Sequence, residues 1–454
     1  MAAAAPPDRS LRYRAVRAFA RLLLRSEYRR VEVVGAEHVP AQGAVLLVAN
    51  HHASLVDSLA ILVGSPRVAG PMAKAPLWRM RVLAPFLDAV GAVPVYRPQD
   101  AAENEGRGAR ANLETFAECI RRLRDGRAVA LFPEGMSRPS PRLLPLRTGA
   151  ARIALDAEVP VAVVPIGIAI EPPRATRGTL LVRFGAPLLV DGRTEPAPRR
   201  AAITSVTRRT EEAIRALLAE ATSLEDVELL RVGAAVVAAE RGVPAASLEA
   251  RHALVQRLAA GFDALGRADP AERDALRADA AAFARRLDLV GVPLELVDAR
   301  FSTARVARVV GSTLARAAIV GPLALAAAVV TAPPRVAADL VALRAGHGAE
   351  DVVSFGRMLS RTVFLAAWAL LLAVVLAVAV APWAGLAALA AVPASFALHV
   401  AWRDARVRTL QRVRSFFLLA GGRLRDDLRA ERRALADRIE RARARVEDAT
   451  AAPR

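Results

Sequence analysis

The chain has one cysteine in 454 residues, one lysine, and aromatic residues at only 4% of its composition. A single thiol excludes an internal disulfide and any metal site built from several cysteines. Cys119 falls in the helical pattern "ANLETFAECIRRL" and reads as a small core residue rather than a nucleophile. Lysine is otherwise replaced by arginine, so Lys74 points to a place where a compact point charge is wanted rather than a planar fork. The first thirty residues lack the uninterrupted apolar run of a signal peptide, because arginines break them throughout. No basic stripe interleaved with aromatics is present, and no nucleic-acid-binding module, so nucleic acid is not an expected partner.

What is abundant is apolar surface, at 54% of residues, and positive charge, at +19 with a pI near 11.4. An excess of that size implies an anionic partner such as a membrane surface or a phosphorylated substrate. Residues 10–26 read as a basic amphipathic helix in which Leu11, Val16, Phe19, Leu22 and Leu23 share a face, suited to a membrane interface (1–30). From 31 to 197 short apolar β-rich runs alternate with helical spacing, which argues for an α/β sandwich. Residues 198–312 read as a helical extension.

The membrane signal follows. From Val363 to Trp402 there are forty residues without Asp, Glu, Lys or Arg. One helix of that length would reach about 60 Å, roughly twice the hydrocarbon core. "APWAG" divides the run, so 363–402 is expected to be a transmembrane helical hairpin. Arg357 and Arg361 precede it and Arg403, Arg406 and Arg408 follow it, which puts both ends in the cytoplasm of an inner membrane. A shorter apolar stretch, 313–335, contains Gly321 and Pro322 and is expected to be re-entrant or interfacial. The remainder, 403–454, reads as a charged, solvated or membrane-surface helix broken at Gly421–Gly422.

"ANHHASLVDS" (49–58) follows an apolar strand and places two of the six histidines before an aspartate. His52 and Asp57 form H-x-x-x-x-D, a spacing at which a carboxylate can orient an imidazole for general base catalysis. Downstream, "GAVPVYR" ends a strand with Arg97, "LFPEG" ends another with Glu134 and Gly135, and "VAVVPIG" supplies a further buried strand. In this order the set resembles the four blocks of the glycerolipid acyltransferase family. "AKAPLW" is similar to that family's lysine-bearing segment, and "PRLLPLRTGAARIAL" to a branch with a helical extension and C-terminal apolar segments.

The resemblance implies a mixed-sheet α/β acyltransferase domain with the helical extension and the hairpin appended. It also implies roles: His52 as general base, Asp57 as its orienting partner, Lys74 and Arg97 at the acceptor's phosphate, and Glu134 and Gly135 positioning the acceptor. In "EGMSRPS", Ser137 is expected to adjust acceptor preference, and His51 is expected to be only a neighbour of the site. The implied reaction moves a fatty acyl group from acyl-CoA or acyl-carrier protein to glycerol-3-phosphate or dihydroxyacetone phosphate. It needs no metal or resident cofactor. Lysophosphatidic acid is the alternative acceptor, and a membrane-anchored scaffold with an inactive fold is the non-enzymatic alternative.

Overall fold

The computed structural model describes residues 10–80, 83–96, 109–171, 178–195, 198–242, 248–298, 303–345 and 350–451. The chain divides into two compact units, the first ending at Leu218 and the second beginning at Ala219 apart from 173–177.

The first unit is a mixed sheet with helices. Helix α1 (Leu11–Glu27) precedes β1 (Tyr28–Val34) and β2 (Ala44–Ala49), and α2 (Leu55–Gly64) leads to β3 (Ala69–Lys74). Then come α3 (Ala84–Ala89), β4 (Val93–Val95), α4 (Ala109–Arg124), β5 (Ala128–Leu131) and α5 (Gly149–Asp156). The unit closes with β6 (Val161–Glu171), β7 (Gly178–Phe184), β8 (Leu188–Val190) and α6 (Arg199–Arg215). Strand order is β1-β7-β6-β2-β5-β3-β4, with β8 beside the first half of β6. All neighbours run parallel except β7 and β8 against β6.

Strand β2 is buried along its whole length, as expected where both faces of a parallel strand are covered. Its parallel neighbours matter most for function. Val48 pairs with Leu131, Ala49 pairs with Ile166, and Lys74 pairs with Val95. The carboxyl ends of β2, β5, β3 and β4 therefore open on one edge of the sheet, where ligands bind in open α/β sheets.

Two expectations shift here. The first unit reaches 218 rather than the 197 expected from the sequence, because α6 buries Ala202, Val206 and Ile214 in the core built on β2, β5 and β6. Helix α1 is no free interfacial helix along its whole circumference. It buries Tyr13, Ala20 and Leu24, and Arg17 donates to the carbonyls of Val63 and Ser65 at 2.9 and 2.8 Å. Leu11, Phe19 and Leu22 still form an exposed apolar face.

The second unit is wholly helical among the described residues: α7 (Leu224–Glu240), α8 (Leu248–Ala268), α9 (Pro270–Val290), α10 (Leu294–Val297), α11 (Thr303–Val330), α12 (Ala332–Ala345), α13 (Glu350–Ala379), α14 (Pro382–Ala420) and α15 (Arg423–Ala451). The charged tail is not a detached surface helix. Leu428, Leu435, Ala436, Ile439 and Ala442 of α15 recur at helical spacing and are buried with α7 and α9. Inter-helix arginine pairs surround this core: Arg432 with Glu240 at 2.6 Å and with Asp298, and Arg438 with Glu272 at 3.1 Å and with Asp279.

Among the described residues, three helices are long and apolar enough to cross a membrane: Val310–Val330, Ser360–Ala379 and Pro382–Ala420. Two of them form the expected hairpin, turning at Val380–Ala381, with Gly385 so close to Ala373 that a side chain there would strike its carbonyl. The stretch 313–335 differs from its expected form. Helix α11 continues through Gly321 and Pro322 for 28 residues and stops only at Thr331. Its terminal carbonyls are then taken by other groups: Trp368 Nε1 donates to Val330 O at 2.9 Å, and Arg335 donates to Ala328 O at 2.9 Å and Thr331 O at 3.0 Å. Arg335 also meets His399 at 2.6 Å.

Candidate active site

The turn from β2 into α2 carries the histidines, and four interactions fix it. Asn50, fully buried, receives Ile168 N–H on Oδ1 at 2.7 Å and donates Nδ2 to Ile168 O at 3.0 Å. The side chain thus prolongs the β2–β6 ladder by one rung. Glu134 Oε1 accepts His51 N–H at 2.6 Å, and Arg138 N–H donates to His51 O at 3.2 Å. The loop after β5 therefore grips the His51 peptide from both sides. Ser54, at φ 53° and ψ −114°, sits in a sparsely populated backbone region, held by donating its N–H to Ser137 Oγ at 2.8 Å. Asp57, in the first turn of α2, reaches back to accept Ala53 N–H at 2.8 Å, as an acidic third helical residue does in a capping box.

The two histidines make different contacts from those their spacing to Asp57 suggests. His51 Nδ1 lies 2.8 Å from Asp57 Oδ2. A carboxylate can only accept, so Nδ1 carries the proton and the lone pair falls on Nε2. The ring stacks on Phe132 with centroids 4.0 Å apart and planes 11° from parallel, and its side chain remains 18% exposed. His52 instead has Asn50 Nδ2 at 2.5 Å from its Nδ1. Ile168 fixes which end of the Asn50 amide is nitrogen, so His52 Nδ1 is an acceptor and its lone pair is occupied. In neutral His52 the proton is then on Nε2. The dyad is His51–Asp57, with five intervening residues rather than four.

Asp57 is fully buried, and its Oδ1 has no hydrogen-bond partner among the described residues. A buried, under-satisfied carboxylate stabilises positive charge on the adjacent imidazole. Its field also reaches Tyr28, whose phenol is pushed up by burial first and then by Asp57 and Glu27. Glu134 is 5% exposed, and burial pushes its carboxyl up against the opposing effect of its two backbone donors, His51 and Leu144. With Leu144 N–H at 3.1 Å on Oε2, both carboxylate oxygens are engaged by backbone. Glu134 thereby braces the turn that carries the histidines.

Gly135 has φ 74°, a conformation that favours glycine, and a Cβ there would also displace the Arg147 side chain, whose Nε would lie 2.6 Å away. Lys74 ends β3 on the same sheet edge as the dyad and is exposed. Arg97 lies outside the described residues, two positions beyond Val95 of β4. Asn50 and Phe132 were missed by the motif reading. Their signal was position: the last residue before the histidines and the first after the β5 run. The adjacent histidines satisfy both possible spacings to Asp57, so spacing could not choose between them.

Residues 30–169 match the family model described as Acyltransferase. The chain is 37% identical over 87 residues to glycerol-3-phosphate O-acyltransferase 2 of Saccharomyces cerevisiae, covering 18% of this chain and 12% of that protein. It is 24% identical over 248 residues to an uncharacterized acyltransferase of Schizosaccharomyces pombe, covering 36% of this chain and 37% of the relative. The chain thus spans 12% and 37% of the lengths of these curated relatives. Among solved structures it is similar to the 1-acyl-sn-glycerophosphate (LPA) acyltransferase PlsC of Thermotoga maritima, at TM-score 0.34 and 20% identity, covering 45% of this chain and 80% of that one. The unit that holds the dyad is an acyltransferase domain.

Proposed function

We propose that the chain transfers a fatty acyl group from an acyl thioester to a hydroxyl of glycerol-3-phosphate or dihydroxyacetone phosphate at a membrane surface, with His51 as general base. The observation that carries this reading is the His51–Asp57 pair, with Nε2 of His51 hydrogen-bonded by no described residue. Nε2 removes the proton from the acceptor hydroxyl as its oxygen attacks the thioester carbonyl. The imidazolium is stabilised by Asp57. Collapse of the tetrahedral intermediate breaks the C–S bond, and the same imidazolium returns the proton to the departing thiolate. Lys74 and Arg97, at and just beyond the carboxyl ends of adjacent strands, are assigned to the acceptor's phosphate. The yeast relative's name motivates the choice of acceptor; lysophosphatidic acid is the second candidate.

The helical unit supports a membrane topology of two crossings with α11 re-entrant. Helix α15 is bundled with α7 and α9, so the chain between Val290 and Arg423 makes an even number of crossings. The hairpin α13–α14 supplies two. Helix α11 then does not cross: its end is bonded to Trp368, twelve residues or about 18 Å along α13 from the turn at Val380. It enters as a re-entrant element and returns through α12. Arginines flanking the hairpin assign its two ends to the cytoplasmic side.

The test is acyl transfer by purified full-length protein given acyl-CoA and a panel of acceptors, with products identified by mass spectrometry. His51→Ala abolishes product while His52→Ala retains it. Full turnover by the His51 variant, or no thioester consumption by the wild type with any phosphorylated acceptor, overturns the reading.

A further inference from the structure

A cavity of about 560 Å³ lies among α7, α8, α9 and α15, within the range of about 300–1,000 Å³ typical of small-molecule sites. Its wall is largely apolar, including Leu258, Phe262, Ile439 and Val446, and it is lined by residues of both hydrophobic clusters of the bundle, against which Leu254, Leu258 and Phe262 pack. Two helix-interior glycines line it, although glycine is a poor helix former. A Cβ on Gly261 would meet no atom within 4 Å, and one on Gly233 would rest at 3.5 and 3.6 Å from Ile439 and Leu258. Larger residues would fit the backbone at both positions and would occupy the space.

The charged residues of the lining show what the cavity accepts. Its carboxylates are already matched to arginines. Asp226 pairs with Arg277 at 2.7 Å, Glu440 with Arg241 at 2.5 Å, and Glu447 with Arg443 at 2.8 Å. Arg257, also in the lining, has no hydrogen-bond or ion-pair partner among the described residues. The cavity therefore combines a long apolar interior with one uncommitted cation.

We propose that this cavity binds a single-chain amphiphile with an anionic head, the acyl chain along the apolar wall and the head at Arg257. A neutral ligand would leave the cation unused, and a compact anion would leave the apolar volume unfilled. The shared chemistry is one acyl chain with a carboxylate or a phosphate; a free fatty acid and a lysophospholipid are its two sources. The site lies entirely in the helical unit, separate from the dyad, and does not depend on the proposed reaction.

The experiment uses full-length protein in phosphatidylcholine nanodiscs, labelled with diazirine-bearing palmitate and mapped by peptide mass spectrometry. Saturable labelling is expected on α7, α8, α9 or α15, in the wild type and equally in His51→Ala. Oleate and lysophosphatidate are added as competitors in separate arms, and the stronger names the source; dodecyl maltoside, which has no charge, should compete at least tenfold less well. Arg257→Glu should weaken binding about tenfold. Gly233→Leu should remove saturable labelling, with a thermal melt to show that the bundle is intact, and Gly261→Leu provides the same test from the opposite helix. Labelling confined to α11–α14, equal competition by the uncharged detergent, or unchanged binding in Arg257→Glu or in a folded glycine variant overturns the proposal.

Discussion

The α/β unit and the helical unit are fastened by different chemistry. In the first, long side chains bond to backbone carbonyls: Arg67 reaches Pro40, Gly43 and Gly126, Arg17 reaches Val63 and Ser65, and Asn50 clasps Ile168. In the second, helices are joined by arginine–carboxylate pairs, with Arg432, Arg438, Arg241 and Arg286 each bridging to another helix or the segment beside one. A carbonyl does not titrate and a carboxylate does. The carbonyl-bound fastenings of the first unit are thus insensitive to acid, while the carboxylate pairs that join the second unit's helices depend on both acid and salt.

The largest expected effect concerns where the chemistry resides. His51→Ala should lower kcat/KM by about 10³-fold or more, while His52→Ala stays within about tenfold, measured by acyl transfer in detergent. Equal losses would erase the distinction between the two rings. Glu134→Gln is the next largest. A primary amide cannot accept from both His51 and Leu144 N–H, so one bond is lost, costing about 1–3 kcal/mol of stability in the α/β unit and about tenfold in kcat.

Arg432→Met should destabilise the helical unit by about 2 kcal/mol. Arg432 is 5% exposed and holds Glu240 and Asp298, but Asp298 is 45% exposed, which keeps the cost below that of a fully buried pair. Hydrogen exchange should locate the loss in α7, α9 and α15 and leave the β-sheet unchanged. Protection lost in both units would show that they do not unfold separately.

Lowering the pH separates the units by sign. Burial pushes the Asp298 carboxyl up, yet its hydrogen bonds from Arg432 and Arg429 outweigh this and hold it below the usual carboxylate range. Its folded pKa is depressed, so its contribution is present above the unfolded value near about 3.9 and is lost as pH falls further. Glu134 is raised by burial, so its contribution is present below its unfolded value near about 4.3 and is lost as pH rises through the folded value. Exchange measured at pH 6 and at pH 3.5 should show the helical pairs weakening while Glu134 is not a cause of weakening in the sheet. The smallest effect is that of salt. Raising it to 1 M should cost the exposed arginine pairs only a few tenths of a kcal/mol each, seen as a slight fall in the helical unit's melting temperature.

Much of the first unit was legible because buried parallel strands write themselves as short apolar runs. The order of the blocks identified the site's neighbourhood, and the α/β acyltransferase domain is as the resemblance implied. The choice of histidine was not legible, since it depends on which way two side chains leave one turn. Asn50 decides that by holding His52 through an amide oriented by Ile168, a residue 118 positions away. Nor could the tail's partner be read, because an Arg- and Glu-rich helix has the same pattern on a membrane surface as in a bundle. Helix α11 was read as short because Gly321 and Pro322 interrupt its pattern. The helix tolerates both, and it ends only where Thr331 and Arg335 close it.

Asn50 has one further consequence, in the chemistry of ageing. Deamidation converts an asparagine amide into a carboxylate of nearly the same shape, so packing would hardly register it. At this position it would replace the amide donor facing Ile168 O and His52 Nδ1 with a second acceptor. Two buried lone pairs would then confront an anion, and the turn would release both rings. Complete burial in a ladder of hydrogen bonds keeps the amide from the flexible geometry that deamidation requires. The rung that builds the site also preserves it from slow chemical loss.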